Sequence, residues 1–91
     1  MRPISFVRDH KVVIDGVLAQ FHARDPLYVH DVQRSSDIVL LVRPDGQMTY
    51  FDIYRIEDEL AEKLNSSVTV LTEEEIKGQD LERIRDIAEK I

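Results

Sequence analysis

Cysteine is absent from the chain, which excludes a disulfide framework and any thiolate metal site. No stretch approaches the roughly 18 consecutive apolar residues that a membrane span requires. Clustered cations are missing as well. Twelve Lys and Arg stand against 18 Asp and Glu, for a net charge of −6, whereas broad binding to a nucleic-acid backbone needs grouped Lys and Arg. Histidine is sparse: His10, His22 and His30 fall on separate segments, with no i, i+4 partner and no zinc spacing. His10, Lys11 and Asp15 interrupt every apolar run near the N-terminus, so no signal-peptide pattern is seen. There is no internal repeat, low-complexity tract or linker. These absences lead us to expect a cytoplasmic protein that binds neither nucleic acid nor membrane. The negative charge suits a basic protein partner or simple solubility.

The 91 residues, 43% apolar and 33% charged, suffice for one domain over 1–91 and leave no room for two cores. The best strand candidate is Ser35 to Val42, SSDIVLLV, apolar and β-branched at Ile38, Val39 and Val42. It stops at Arg43-Pro44-Asp45-Gly46, a turn signal. So apolar a strand in so small a chain belongs inside a sheet covered on both faces.

Before it, Val13, Ile14, Val17, Leu18 and Phe21 recur at helical spacing, predicting a helix over 5–24 that ends at Asp25-Pro26. Gly16 weakens that helix by roughly 1 kcal/mol relative to Ala. Leu27 to Val32 reads as a short strand. After it, Thr49 and Asp52 form a capping-box pattern for a helix to about Leu64, with Ile53, Ile56, Leu60 and Leu64 as its buried face. Glu59 and Lys63 are placed to pair outside, and Asn65 closes the helix. Val68 to Leu71 is a third strand. Thr72 caps a short turn with Glu75 at the matching position, and Gly78 breaks it. A last helix runs from the Asp80 cap to about Lys90, its stripe being Leu81, Ile84, Ala88 and Ile91. The order α-β-β-α-β-α predicts an α+β domain: a small mixed three-stranded sheet covered by helices.

From Ser36 onward these segments resemble the minimal nucleotidyltransferase domain of the polymerase-β-like superfamily. SDIVLLV, residues 36 to 42, resembles the family strand Ser-Asp-x-Asp-Leu-Leu-Val. Residues 51 to 76 resemble the family helix, its exit and its third strand, and ERIRDIAEKI, 82 to 91, resembles the last helix. HARDPLYVHDV, 22 to 32, resembles the approach to the family's Gly-Ser turn. The resemblance implies a nucleotidyltransferase-like fold. In the active version, a Gly-Ser turn approaches a triphosphate. Two carboxylates at i and i+2 on one strand, with a third from the neighbouring strand, hold two Mg²⁺ ions.

This sequence departs from that pattern. The first carboxylate is present as Asp37; the second position is Val39 and the third is Thr69. The Gly-Ser pair falls on His30-Asp31, where a His side chain and a negative charge stand in place of close backbone approach to phosphate. The short span from His30 to Asp37 implies that the helix after the turn is truncated or absent. Asp37 is either a remaining Mg²⁺ ligand or, more simply, a turn residue at the start of the strand that caps N–H groups with Ser35 and Ser36. Asp45 and Asp52 are explained by a turn and a helix cap. Tyr28, Tyr50, Phe51 and Tyr54 are expected mainly in the core and its rim. Glu73-Glu74-Glu75 reads as a negative first helical turn.

Three functions follow. The first is a catalytically inactive domain, without cofactor or metal, that acts by protein–protein binding. By the resemblance, it would be the antitoxin half of a module with a helical HEPN-type partner. The second is an active nucleotidyltransferase with a rearranged site, moving AMP from ATP to a protein with Mg²⁺. It requires Asp31, Asp37 and another carboxylate to converge. The third is a self-associating structural domain, a homodimer paired through exposed sheet edges.

Overall fold

The structure, a computed structural model, describes residues 2–30, 36–73 and 79–91. Among the described residues the elements are α1 (Ile4–Asp9), α2 (Lys11–Gln20), β1 (Ala23–Val29), β2 (Ile38–Pro44), α3 (Tyr50–Leu64), β3 (Val68–Thr72), α4 (Gln79–Asp86) and β4 (Ala88–Lys90). The strands form one mixed sheet in the order β3-β2-β1-β4. β2 pairs parallel with β3, and β1 pairs antiparallel with both β2 and β4.

β2 lies inside the sheet with its first five residues buried, as an unbroken apolar run demands. Its alternation feeds two cores. Ile38, Leu40 and Val42 join Tyr28, Val68 and Val70 beneath Val7 of α1, Ile14 and Leu18 of α2, and Ile56 and Leu60 of α3. Val39 and Leu41 point the other way and join Val29, Leu71 and Ile84 of α4.

α3 forms as its sequence pattern predicts. Thr49 N donates to Asp52 Oδ2 at 2.9 Å, and Asp52 N donates back to Thr49 Oγ1 at 3.4 Å. Asn65 ends the helix with φ at 49°, a conformation Asn tolerates better than most residues. Glu59 and Lys63 pair at 3.9 Å. Thr49→Ala removes one half of the cap and is expected to cost about 1 kcal/mol, read as a lower urea midpoint with an unchanged slope. One further α3 residue reaches the sheet: Glu57 Oε2 accepts from Val70 N, on the outermost strand, at 2.8 Å.

Other segments depart from expectation. The helix predicted over 5–24 is two helices, broken at His10, whose φ and ψ are −109° and 18°. His10 Nδ1 bonds Phe6 O at 2.8 Å, a local alternative to helix propagation. The second helix stops before Phe21, and His22 turns the chain with φ at 65°. Asp25-Pro26 therefore lies inside β1, where the pairing register shifts between Arg24 and Leu27. A bulge is where a strand accommodates proline, which has no N–H to give. β1 covers Ala23–Val29, starting before the expected Leu27, and residues 31 and 32 of the expected strand lie outside the described residues.

Among the described residues the sheet has four strands where three were expected. The predicted last helix stops at Asp86, and Ala88–Lys90 pairs with β1. Ala88 packs with the second core and Ile91 with the first. Spacing three apart marks one face of a helix but two faces of a strand, so the same letters served either reading. The expected Thr72–Glu75 cap and the Gly78 break involve residues 74–78, outside the described residues.

Candidate functional site

The start of β2 and its parallel partner β3 set the site. In the β2–β3 register, Ile38 lies opposite Val68 and Val39 opposite Thr69. Asp37 immediately precedes β2. The register thus sets Val39 and Thr69 side by side on one sheet face, with Asp37 just outside the paired strands.

Asp37 is tied into the backbone there. Its Oδ2 accepts from Ser67 N at 3.2 Å, and its N donates to Ser67 Oγ at 2.8 Å. Its carbonyl accepts from Arg2 N at 2.7 Å, and Ile38 N donates to Ser67 O at 3.0 Å. These bonds bracket the start of β2 against the α3–β3 connection. Val39 is 1% exposed within the second core. The Thr69 hydroxyl is hydrogen-bonded to Ser36 Oγ.

His30 follows β1 and turns toward β4. Its Nε2 lies 3.0 Å from Glu89 Oε2, its N donates to Ile87 O at 2.8 Å, and its ring meets Tyr28 edge-on at 4.7 Å. Asp31 lies outside the described residues. His22 Nδ1 lies 3.5 Å from Asp45 Oδ2. Asp45 Oδ1 accepts from Gln47 N at 2.9 Å within its turn. Glu73 pairs with Arg85 at 2.8 Å; Glu74 and Glu75 lie outside the described residues. Among the described residues, no three His, Asp or Glu side chains gather closely enough to share a metal ion.

The aromatics correct the sequence-based expectation. Tyr28 is buried and its hydroxyl donates to Arg2 O. Tyr50, Phe51 and Tyr54, however, are 73%, 78% and 62% exposed on the first turns of α3. The signal was present in the helical spacing. Phe51 and Tyr54 fall off the Ile53–Ile56–Leu60–Leu64 stripe, so only their hydrophobicity suggested a core.

No protein-family model matches the chain, and no curated protein matches it significantly. A solved structure described as "Structure of putative minimal nucleotidyltransferase" superposes with a TM-score of 0.80 at 19% identity, covering 100% of this chain and 97% of that one. The α+β architecture is therefore nucleotidyltransferase-like, the fold that the sequence resemblance implied.

Proposed function

We propose that this chain is a catalytically inactive nucleotidyltransferase-like domain that acts by binding another protein. The observation that carries this reading is Val39, opposite Thr69 and sealed into an apolar core. The described residues at these positions do not fit a pair of Mg²⁺ ions, which are held by carboxylates and other hard oxygens. The one carboxylate, Asp37, already accepts a backbone hydrogen bond. The Thr69 oxygen is neutral and bonded to Ser36.

A binding role is supported by the three exposed aromatics on α3, the residue type enriched at interaction hot spots. Asp58 and Glu62 are exposed farther along the same helix, which with the net charge of −6 favours a basic partner. By analogy of fold alone, the partner is a helical HEPN-type protein and the chain its antitoxin. Two measurements test this. Calorimetric titration with ATP and Mg²⁺ is expected to show no metal-dependent binding; micromolar, metal-dependent binding would overturn the inactive reading. A helical protein encoded beside this chain is expected to co-elute with it, and Phe51→Ala with Tyr54→Ala to weaken the complex at least about tenfold. A chain that elutes alone beside such a neighbour argues against the binding role.

A further inference from the structure

A second feature of the molecule lies at the far end of β2 from Asp37. An open groove of about 740 Å³ runs along the β1 bulge, a volume in the range of small-molecule sites. Its lining includes Arg24, Arg43 and Lys90 together with Leu27 and Leu41, and the register explains why these five meet. Leu27 pairs with Leu41 on one side and with Lys90 on the other, and Arg24 pairs with Arg43. Directly opposed residues share a face, and so do Leu41 and Arg43, two apart on β2.

Arg24 and Leu27 are three apart on β1 and would face opposite ways in a regular strand. The extra residue of the bulge brings Arg24 round to the side of Leu27. That turn holds Asp25 at a φ of 53° before Pro26, a conformation disfavoured for a residue with a Cβ. The bulge thus makes Arg24 and Arg43 direct partners in the ladder, a like-charge pairing that opposes folding. Three carboxylates also line the groove. Asp15 is engaged by Lys11 at 2.7 Å, Glu73 by Arg85 at 2.8 Å, and Asp25 lies 3.9 Å from Arg24. Among the described residues, no ion pair engages the side chains of Arg43 or Lys90.

We propose that this groove binds a small phosphomonoester, its dianionic phosphate held by Arg24, Arg43 and Lys90 and its apolar portion laid on the half-exposed Leu27. Paired guanidinium forks suit the several oxygens of a phosphate, and a bound dianion relieves the repulsion that the bulge creates. The site is separate from the Asp37 patch and needs no metal.

Calorimetric titration with phenyl phosphate and with inorganic phosphate, at low salt and in EDTA, tests it. EDTA keeps the outcome distinct from the Mg²⁺-dependent nucleotide test above. Phenyl phosphate is expected to bind about tenfold more tightly than inorganic phosphate, because its ring covers apolar surface. Arg43→Gln and Lys90→Gln are each expected to weaken it about tenfold or more, the value of a charge-assisted contact. Lys63→Gln, on α3, is expected to leave it unchanged. Without ligand, Arg43→Gln should melt no lower than the parent protein, since it removes a like-charge facing. If it melts lower, Arg43→Lys keeps the charge and still must weaken binding by losing the fork. Equal affinity for the two phosphates, or an equal loss in Lys63→Gln, overturns the proposal.

Discussion

Val39→Asp is expected to lose roughly 3–5 kcal/mol of stability, the penalty of leaving a buried charge without a partner. A domain of this kind has on the order of 5–15 kcal/mol in all, so much of the protein unfolds in modest urea. The reason is local. Val39 is 1% exposed among Val29, Leu41, Leu71 and Ile84. Across the register lies Thr69, whose neutral hydroxyl is already hydrogen-bonded to Ser36. Adding Mg²⁺ is not expected to restore the loss, because the Asp37 carboxylate is held by the Ser67 backbone. Urea titrations with and without Mg²⁺ check this. A Val39→Asp protein that folds normally, or is rescued by the metal, would show a latent metal site where we find packing.

Leu40→Ala carries the next largest effect, about 2–5 kcal/mol from lost burial and the cavity left behind. Leu40 is fully buried on β2, opposite Tyr28 on one side and Val70 on the other. Neither neighbour can move in without breaking a ladder, so the cavity stays open. Phe51→Ala is the control. Phe51 is 78% exposed, and its truncation should stay within about 0.5 kcal/mol. A large loss at Phe51, or a small one at Leu40, would mean that the apolar faces are assigned the wrong way round.

Legibility in the sequence followed the range of the forces involved. The capping box of Thr49 and Asp52, the Asn65 stop and the Glu59–Lys63 pair act within one helix, and each was readable from its letters. The interior position of β2 was readable too, because an apolar run has few other places to go. What depended on distant partners was not. Ala88 to Lys90 becomes a strand because β1 offers an unpaired side, and nothing local distinguishes it from a helix end. Asp25-Pro26 reads as a helix stop, yet it is a bulge within a pairing set by β2. At the candidate site, the resemblance aligned Asp37, Val39 and Thr69 with the family's carboxylate positions, and the parallel register sets Val39 opposite Thr69. It could not say that Val39 belongs to a core completed by Ile84 of α4. The groove at the β1 bulge is not legible in the sequence, because its members come from different strands and only the register assembles them.

The Glu57 carboxylate on the Val70 amide has a consequence for assembly. An incoming strand seeking to lengthen the sheet beyond β3 meets an amide whose hydrogen is already claimed, and would have to evict a charged side chain first. The opposite border offers only the three residues of β4, too brief a template for firm annealing. Growth by strand addition is therefore discouraged on both flanks, and any lasting complex of this chain is steered toward its helices.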